Sequence, residues 1–257
     1  MHNEILEIMS IRDIERYRAV IRDDILSLVP EMKPAVGFDG GPHHDETVFE
    51  HLLWASEEVS PKYPLIRFSA LLHDIGKPHT WNGEHFRHHA QKGAEMAEKI
   101  MDRLGGFDKA EQAFVKKLIA SHMMKPLTQL NDNTIVSKIR DMEAFGVSWR
   151  DFLRLRLADR HGTGNWRNRR AVSPNLPYAR DMIRRIREAQ SNFEAKSRQK
   201  SHNPLAVSGR DVMRTMEIPE GPKVGKILKF LYDNYPHDNR DELLNGIMKI
   251  KNSYFPN

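Results

Sequence analysis

The 257-residue sequence predicts an all-α protein, a helical bundle with a C-terminal helical subdomain. Three observations support this fold class. Apolar residues recur three and four positions apart along almost the whole chain, which is the period of a helix with one buried face. No run alternates apolar and polar residues for the length of a strand. Stretches rich in Gly and Pro separate the periodic segments, as loops between helices do.

The first three predicted helices cover residues 4–28, 47–59 and 64–75. The segment "KPAVGFDGGPHHDE" lies between the first two and contains too much Gly and Pro for a helix. The third helix carries "LLHDIGKP", where Gly76 and Pro78 predict its end.

Four further helices are predicted over residues 88–104, 108–123, 134–144 and 148–161. Gly105 and Gly106 end the first of them. Asp108 with Glu111 forms a capping-box pattern that starts the second, and Ser148 with Asp151 is a similar start for the fourth.

The segment "HGTGNWRNRRAVSPNLP" is typical of a loop and predicts a boundary between a first domain, residues 1–165, and a second, residues 166–257. The remaining helices are predicted over residues 178–198, 208–216, 223–233 and 239–253.

Composition limits the chemistry. The chain has no cysteine, so disulfides, thiolate metal sites and cysteine nucleophiles are excluded, and a metal would bind to histidine, carboxylate and water. The polar N-terminus and the absence of a long apolar run predict a soluble, cytoplasmic protein without a membrane segment. Residues 138–200 contain 16 Lys or Arg against 7 Asp or Glu, a balance suited to a phosphate-bearing partner. The oligomeric state is left open.

Four polar residues interrupt apolar helix faces: His51 in "VFEHLLWA", His73 and Asp74 in "LLHDIGKP", and Asp159 in "LRLADRHG". A buried imidazole or carboxylate is costly unless it is paired, and one divalent cation satisfies several such groups at once. The pattern therefore indicates a metal site between helices.

Two more histidine positions repeat this pattern, His89 or its neighbour His88, and His122 in "LIASHMM".

Adjacent residues of a helix point in different directions, so His73 and Asp74 can face one centre only from a frayed last turn.

The order of these residues resembles the HD-domain metal-dependent phosphohydrolases, whose signature is a His, a His-Asp doublet, further histidines and a distal Asp. More narrowly, "LLHDIGKP", "FRHHAQKGA", "LIASH", "ADRHG" and "VSGRDVMRTMEIPEGPKVGKILKFL" resemble the HD-containing C-terminal half of bacterial CCA-adding tRNA nucleotidyltransferases. The resemblance covers roughly residues 28–255. Thr47 stands where the family often has Asp, and His88 where it has Gly.

The resemblance implies a phosphomonoesterase, 2'-nucleotidase or 2',3'-cyclic phosphodiesterase acting on nucleotides or RNA ends, with tRNA a further candidate partner. It implies that His51, His73, Asp74 and Asp159 bind one divalent ion, which could be Mn, Mg, Ni, Co, Fe or Zn. His89 or His88, together with His122, would bind a second ion, or else contact phosphate and transfer protons.

Basic and aromatic residues near these positions are candidates for substrate binding. Lys77 follows the doublet by one helical turn and would meet a phosphate oxygen. The guanidinium group of arginine donates paired hydrogen bonds to phosphate, and aromatic rings stack on bases. The candidates after Asp159 are Arg160, Arg167, Arg169 and Arg170 for phosphate and Trp166 for a base.

The alternative hypothesis is a binding subunit. The nucleotidyltransferase family carries a Gly-Ser motif and an Asp-x-Asp pair in a separate domain, and this sequence has neither. The chain would then bind nucleic acid or a partner and work beside a separate transferase chain.

Overall fold

Helices form the regular structure throughout the computed structural model, which describes residues 2–41, 46–125, 127–162, 175–202, 207–234 and 240–254. Those residues contain thirteen α-helices and two 3₁₀ helices, Pro30–Ala35 and Leu127–Gln129. Their only strand-like pairings are two isolated bridges, Asp39 with Thr47 and Trp81 with Phe86. The predicted all-α fold is confirmed.

In chain order the α-helices are α1 (His2–Met9), α2 (Ile14–Leu28), α3 (Val48–Glu58), α4 (Pro64–Leu72), α5 (Lys77–Thr80), α6 (His89–Leu104), α7 (Lys109–Ser121), α8 (Asp132–Glu143), α9 (Trp149–Gly162), α10 (Asn175–His202), α11 (Gly209–Met216), α12 (Pro222–Asn234) and α13 (Arg240–Tyr254).

The prediction of one helix over residues 4–28 is wrong, because α1 and α2 are separate. Asp13 caps α2 by accepting a hydrogen bond from the backbone N–H of Arg16. The buried guanidinium of Arg67 donates to the carbonyl oxygens of Met9 and Ile11, which satisfies backbone acceptors at the break. A residue distant in sequence thus stabilises the break between α1 and α2.

The predicted helix over residues 64–75 ends earlier, at Leu72, and a further short helix, α5, begins at Lys77. His73 and Asp74 therefore leave the helix at its end, as the doublet's geometry required. Gly76 has an ordinary φ of −76°. Gly76 instead allows the start of α6 to pack closely against it, since a Cβ at position 76 would lie 2.3 Å from the carbonyl oxygen of His89.

Two predicted helix starts are confirmed by their side-chain bonds. The carboxylate of Asp108 accepts from the backbone N–H of Glu111, and the Glu111 side chain accepts from the backbone N–H of Asp108. Ser148 and Asp151 form the same reciprocal pair at the start of α9. Gly105, with φ 70°, ends α6 as predicted.

The chain divides into two compact units, residues 1–190 and 191–257. The predicted boundary after residue 165 stays a prediction. In the first unit α3 packs against α4 and α9, and α7 packs against α4 and α6. Leu52, Phe68, Leu72 and Ile119 are fully buried where these helices meet. This packing brings the end of α4 next to the middle of α3 and next to the end of α7.

The second unit has its own small apolar core. α11 packs against α12 and α13. Val212, Leu231 and Ile247 are fully buried there. Among the described helices, none has both the length and the apolar character needed to cross a membrane.

Candidate metal centre

Six candidate ligands come together in the first unit. His51 lies within α3, His73 and Asp74 directly follow α4, His89 is the first residue of α6, His122 directly follows α7, and Asp159 lies within α9. The four histidines and Asp74 are buried, and the Asp159 side chain is 16% exposed. Helix ends supply most of these positions because a side chain at an end can turn towards a point between helices.

His51, His73 and Asp159 form the first group. Nε2 of His51 and Nε2 of His73 are 3.1 Å apart. Asp159 Oδ1 lies 3.4 Å from the first of these nitrogens and 3.6 Å from the second. Asp74 Oδ2 lies 3.7 Å from His51 Nε2 and 3.5 Å from His73 Nε2. Four donor atoms thus surround one small volume.

Asp74, His89 and His122 form the second group. Asp74 Oδ1 lies 3.2 Å from His89 Nε2 and 3.3 Å from His122 Nε2. These two imidazole nitrogens are 3.3 Å apart. Asp74 directs one oxygen to each group and therefore joins them.

The tautomers of three histidines are set by the backbone. Nδ1 of His73, His89 and His122 each donates to the carbonyl oxygen of the residue three positions earlier, at 2.7 Å. With the hydrogen on Nδ1, the neutral ring presents an Nε2 lone pair to the cluster of six candidate ligands. This is the usual orientation of a metal-binding histidine.

Charge around Asp74 keeps it ionised. Burial favours the neutral acid, but His73 and Lys77 outweigh burial and hold the pKa of Asp74 well below its ordinary value. Nζ of Lys77 is 2.8 Å from Asp74 Oδ2. Burial likewise opposes ionisation of Asp159, yet His51 and His73 hold its pKa well below the ordinary value.

Two residues that the sequence argument missed complete the surroundings. Glu46 is buried, and its Oε1 lies 3.6 Å from Nδ1 of His51. The carboxylate of Glu46 therefore lies next to the Nδ1 side of the His51 ring. Thr47, at the position where the family often has Asp, instead caps α3. Glu46 gave little signal because it sits in a loop of mixed polar residues.

Arg156 is the second missed residue. Its Nη1 donates to the carbonyl oxygen of His122 at 2.6 Å and to Asp159 Oδ2 at 3.3 Å. The spacing does indicate its contact with Asp159, since residues three apart on a helix are neighbours and Arg156 precedes Asp159 by three. Arg156 connects α9 to the end of α7.

The remaining predicted residues separate into three cases. His89 faces the cluster, whereas His88 is exposed and has the left-handed φ of 62°, a conformation that suits the Gly of the family pattern. Arg160 lies over the ring of Tyr178, 4.4 Å from its centroid. The candidates Trp166, Arg167, Arg169 and Arg170 lie outside the described residues.

The donor set fits a divalent cation. The potential ligand atoms of His51, His73 and Asp159 all lie within 4.8 Å of one another, and the same holds for those of His73, Asp74 and His122. Asp74 Oδ1 is buried and accepts no hydrogen bond from the described part of the chain. A buried, ionised oxygen without a donor is costly, and a cation removes this cost. Imidazole with carboxylate suits first-row transition ions.

Comparison with known proteins gives a family match and two curated relatives. The family model described as "HD domain" matches residues 43–181. The chain is 28% identical over 239 residues to the A-adding tRNA nucleotidyltransferase of Deinococcus radiodurans, covering 86% of this chain and 51% of that protein. It is 28% identical over 223 residues to the CC-adding tRNA nucleotidyltransferase of Thermus thermophilus, covering 80% and 44%. The chain thus spans about half the length of these relatives.

Proposed function

The chain belongs to the HD domain family, and from this premise we propose that it is a metal-dependent phosphohydrolase acting on nucleotides or RNA ends. The reaction would be that of a phosphomonoesterase, a 2'-nucleotidase or a 2',3'-cyclic phosphodiesterase. The observation that carries the proposal is the convergence of imidazole nitrogens and carboxylate oxygens from α3, α4, α7 and α9 on one buried centre.

His51, His73, Asp74 and Asp159 would hold one divalent ion. A second ion, if bound, would use His89, His122 and the other oxygen of Asp74. When bound, such an ion supplies positive charge beside the phosphorus and makes a water molecule acidic enough to attack at neutral pH. The backbone acceptors of His73, His89 and His122 keep these rings oriented for that role.

The other residues of the centre would act on the substrate directly. Lys77 holds its ammonium group beside Asp74, where a nonbridging phosphate oxygen would find a positive charge. With a single ion, His89 and His122 remain available to hold or transfer a proton at Nε2, as the leaving oxygen requires. The burial of this centre excludes bulk water and strengthens these charge interactions.

A second candidate function follows from the relatives. Both are tRNA nucleotidyltransferases, and the chain covers only about half of each. Helix α10 presents exposed arginines at positions 180, 184 and 187. On this alternative the protein binds tRNA or a transferase partner and performs no hydrolysis.

Turnover measurements separate the two functions. Purified protein receives Mn, Ni, Co or Mg singly and is assayed on a generic phosphodiester, a phosphomonoester and 2',3'-cyclic nucleotides. Asp74→Asn is the test variant. Asp141→Asn is the matched control, because Asp141 is an exposed carboxylate that pairs with Lys117 away from the centre.

The phosphohydrolase proposal predicts turnover by the wild type and Asp141→Asn and its loss in Asp74→Asn. Absence of turnover with every metal, together with tRNA binding that Asp74→Asn retains, would favour the binding subunit.

A further inference from the structure

Residues 81–86 form a tight turn beside the metal centre, between the end of α5 and the start of α6. Trp81 and Phe86 are bridged through their backbones. The side-chain oxygen of Asn82 accepts from the backbone N–H groups of Glu84 and His85. Gly83, with φ 94°, takes the conformation that the turn requires. The turn therefore holds its two aromatic residues in place.

The two rings pack on each other. Their centroids are 4.5 Å apart with a tilt of 35°. Phe86 also contacts Phe38 at a centroid distance of 6.3 Å, and Gly41 approaches it so closely that a Cβ there would lie 3.0 Å from the ring. Phe86 is thus fixed by its neighbours, whereas Trp81 remains 41% exposed. A large ring supported from below and open to solvent is a surface on which another ring can stack.

Contacts through Phe86 connect this surface to the metal centre. The carbonyl oxygen of Phe86 accepts the Nδ1–H of His89 at 2.7 Å. Nζ of Lys77 lies 5.5 Å from the centroid of the Phe86 ring and 2.8 Å from Asp74 Oδ2. Lys77 therefore stands between the aromatic pair and the carboxylate.

Exposed hydrogen-bond donors around the turn suit a phosphate-bearing ligand. Arg87 is exposed and positively charged, His79 and His85 are exposed and can each donate a hydrogen bond, and Glu84 is the only acidic residue between positions 79 and 88. Aromatic rings among basic side chains are typical of surfaces that bind unpaired bases and their phosphates.

We propose that Trp81, supported by Phe86, is a stacking site for the base of a nucleoside phosphate whose phosphate group lies at Lys77 and the metal centre. The inference rests on the proposed function and narrows its substrate class, since esters with an unpaired base would be preferred to esters without one. Stacking accepts any base, because every base has a π face.

Binding of two ligands tests the site without relying on turnover. Adenosine 5'-monophosphate and ribose 5-phosphate share the phosphate and sugar and differ in the base. The phosphonate analogues of both, which cannot be hydrolysed, are used in their place, and the dissociation constants are measured by calorimetry on the metal-loaded protein. Base stacking on an aromatic residue contributes about 1–3 kcal/mol, so the wild type should prefer the nucleotide by about 5- to 150-fold.

Four variants identify the residue responsible. Trp81→Ala and Trp81→Leu, the second of which keeps apolar bulk for folding, should bind both ligands equally. Trp81→Phe retains a ring and should keep most of the preference. Phe145→Ala is the matched control, because Phe145 is 45% exposed and lies in the turn after α8, beside Lys117. It should leave the preference unchanged.

Equal affinity of the wild type for the two ligands, or a preference retained in both Trp81→Ala and Trp81→Leu, overturns the proposal. Failure of the proposed function has a different signature. In that case no phosphate ester is hydrolysed with any metal, while the nucleotide preference and its loss in Trp81→Ala are still observed.

Discussion

Nε2 of His51 and Nε2 of His73 lie 3.1 Å apart in the core, at hydrogen-bonding distance. Nδ1 of His73 already donates its hydrogen to a backbone carbonyl, so the proton between the two nitrogens belongs to His51. Burial lowers the pKa of His51, but Asp159, Glu46 and Asp74 outweigh burial and raise it to about 9. In the metal-free protein the proton on Nε2 of His51 therefore lies where we place the metal ion.

Metal binding should release this proton, because an imidazole binds a metal only when it is deprotonated. Between pH 6.5 and about 9 the metal-free protein retains the proton on His51. Calorimetry in buffers of different ionisation enthalpy should find about one more proton released at pH 7 than at pH 9.5. Equal release at both pH values would contradict this assignment of the proton.

The same pKa predicts how the stability of the metal-free protein depends on pH. A pKa of His51 raised from 6.5 to about 9 stabilises the folded state fully below pH 6.5. This contribution is lost as the pH rises to about 9. The Tm of the metal-free protein should fall across that interval, and the Tm of the metal-loaded protein should not follow it. A parallel fall in both forms would exclude His51 as the cause.

The two adjacent histidines at the start of α6 should behave differently. His89→Ala removes a ring from the cluster and should reduce metal-dependent turnover at least tenfold, the scale of losing an orienting group near a metal. His88→Gly relieves a left-handed backbone that costs about 1–2 kcal/mol, partly offset by the entropy of glycine. Its turnover should stay at the wild-type level. Comparable losses in the two variants would contradict the placement of these side chains.

Arg156 should position Asp159 and the end of α7. Arg156→Gln removes the donor shared by Asp159 and the His122 carbonyl and should weaken metal binding by about 10- to 100-fold. Arg156→Lys keeps the charge and should recover part of this loss. Arg154→Gln, on the same helix but bonded to Asp151 and Tyr63, is the control. If metal affinity fell only in proportion to Tm in all three variants, Arg156 would have a structural role alone.

Gly76 allows α6 to approach the doublet. In Gly76→Ala the new Cβ would meet the backbone of His89 and Gly93 at 2.3 and 2.8 Å, so we expect a loss of about 1–3 kcal/mol and weaker metal binding. Gly225→Ala is the matched control, because a Cβ in α12 meets nothing within 4 Å. It should stabilise its helix by about 0.5–1 kcal/mol. An unchanged urea midpoint for Gly76→Ala would contradict the close approach.

The candidate ligands were visible in the sequence for a physical reason. His51, His73 and Asp74 each interrupt an apolar helix face, and a polar group in that position needs a partner inside the core. Helix periodicity alone places such residues on the buried side. The sequence could not decide between His88 and His89, because the left-handed residue before α6 shifts the start of the helix by one position.

Other features depended on tertiary contacts that no local pattern records. Residues 4–28 have a continuous helical period, and the break after Met9 is supported by Arg67 from a different helix. Glu46 reaches His51 from a loop whose course its sequence does not specify. The paired rings of Trp81 and Phe86 were not predicted either, because their contact follows from a turn that brings the two residues together.

Anomalous diffraction from crystals soaked in Mn²⁺ tests most directly whether the cluster binds a metal. We predict a strong peak between Nε2 of His51, Nε2 of His73 and the carboxylates of Asp74 and Asp159, with ligand distances of about 2.0–2.3 Å. Asp74→Asn should remove the peak. If Mn²⁺ bound elsewhere in the crystal while the two histidine nitrogens stayed in direct hydrogen-bond contact, the metal centre would be refuted.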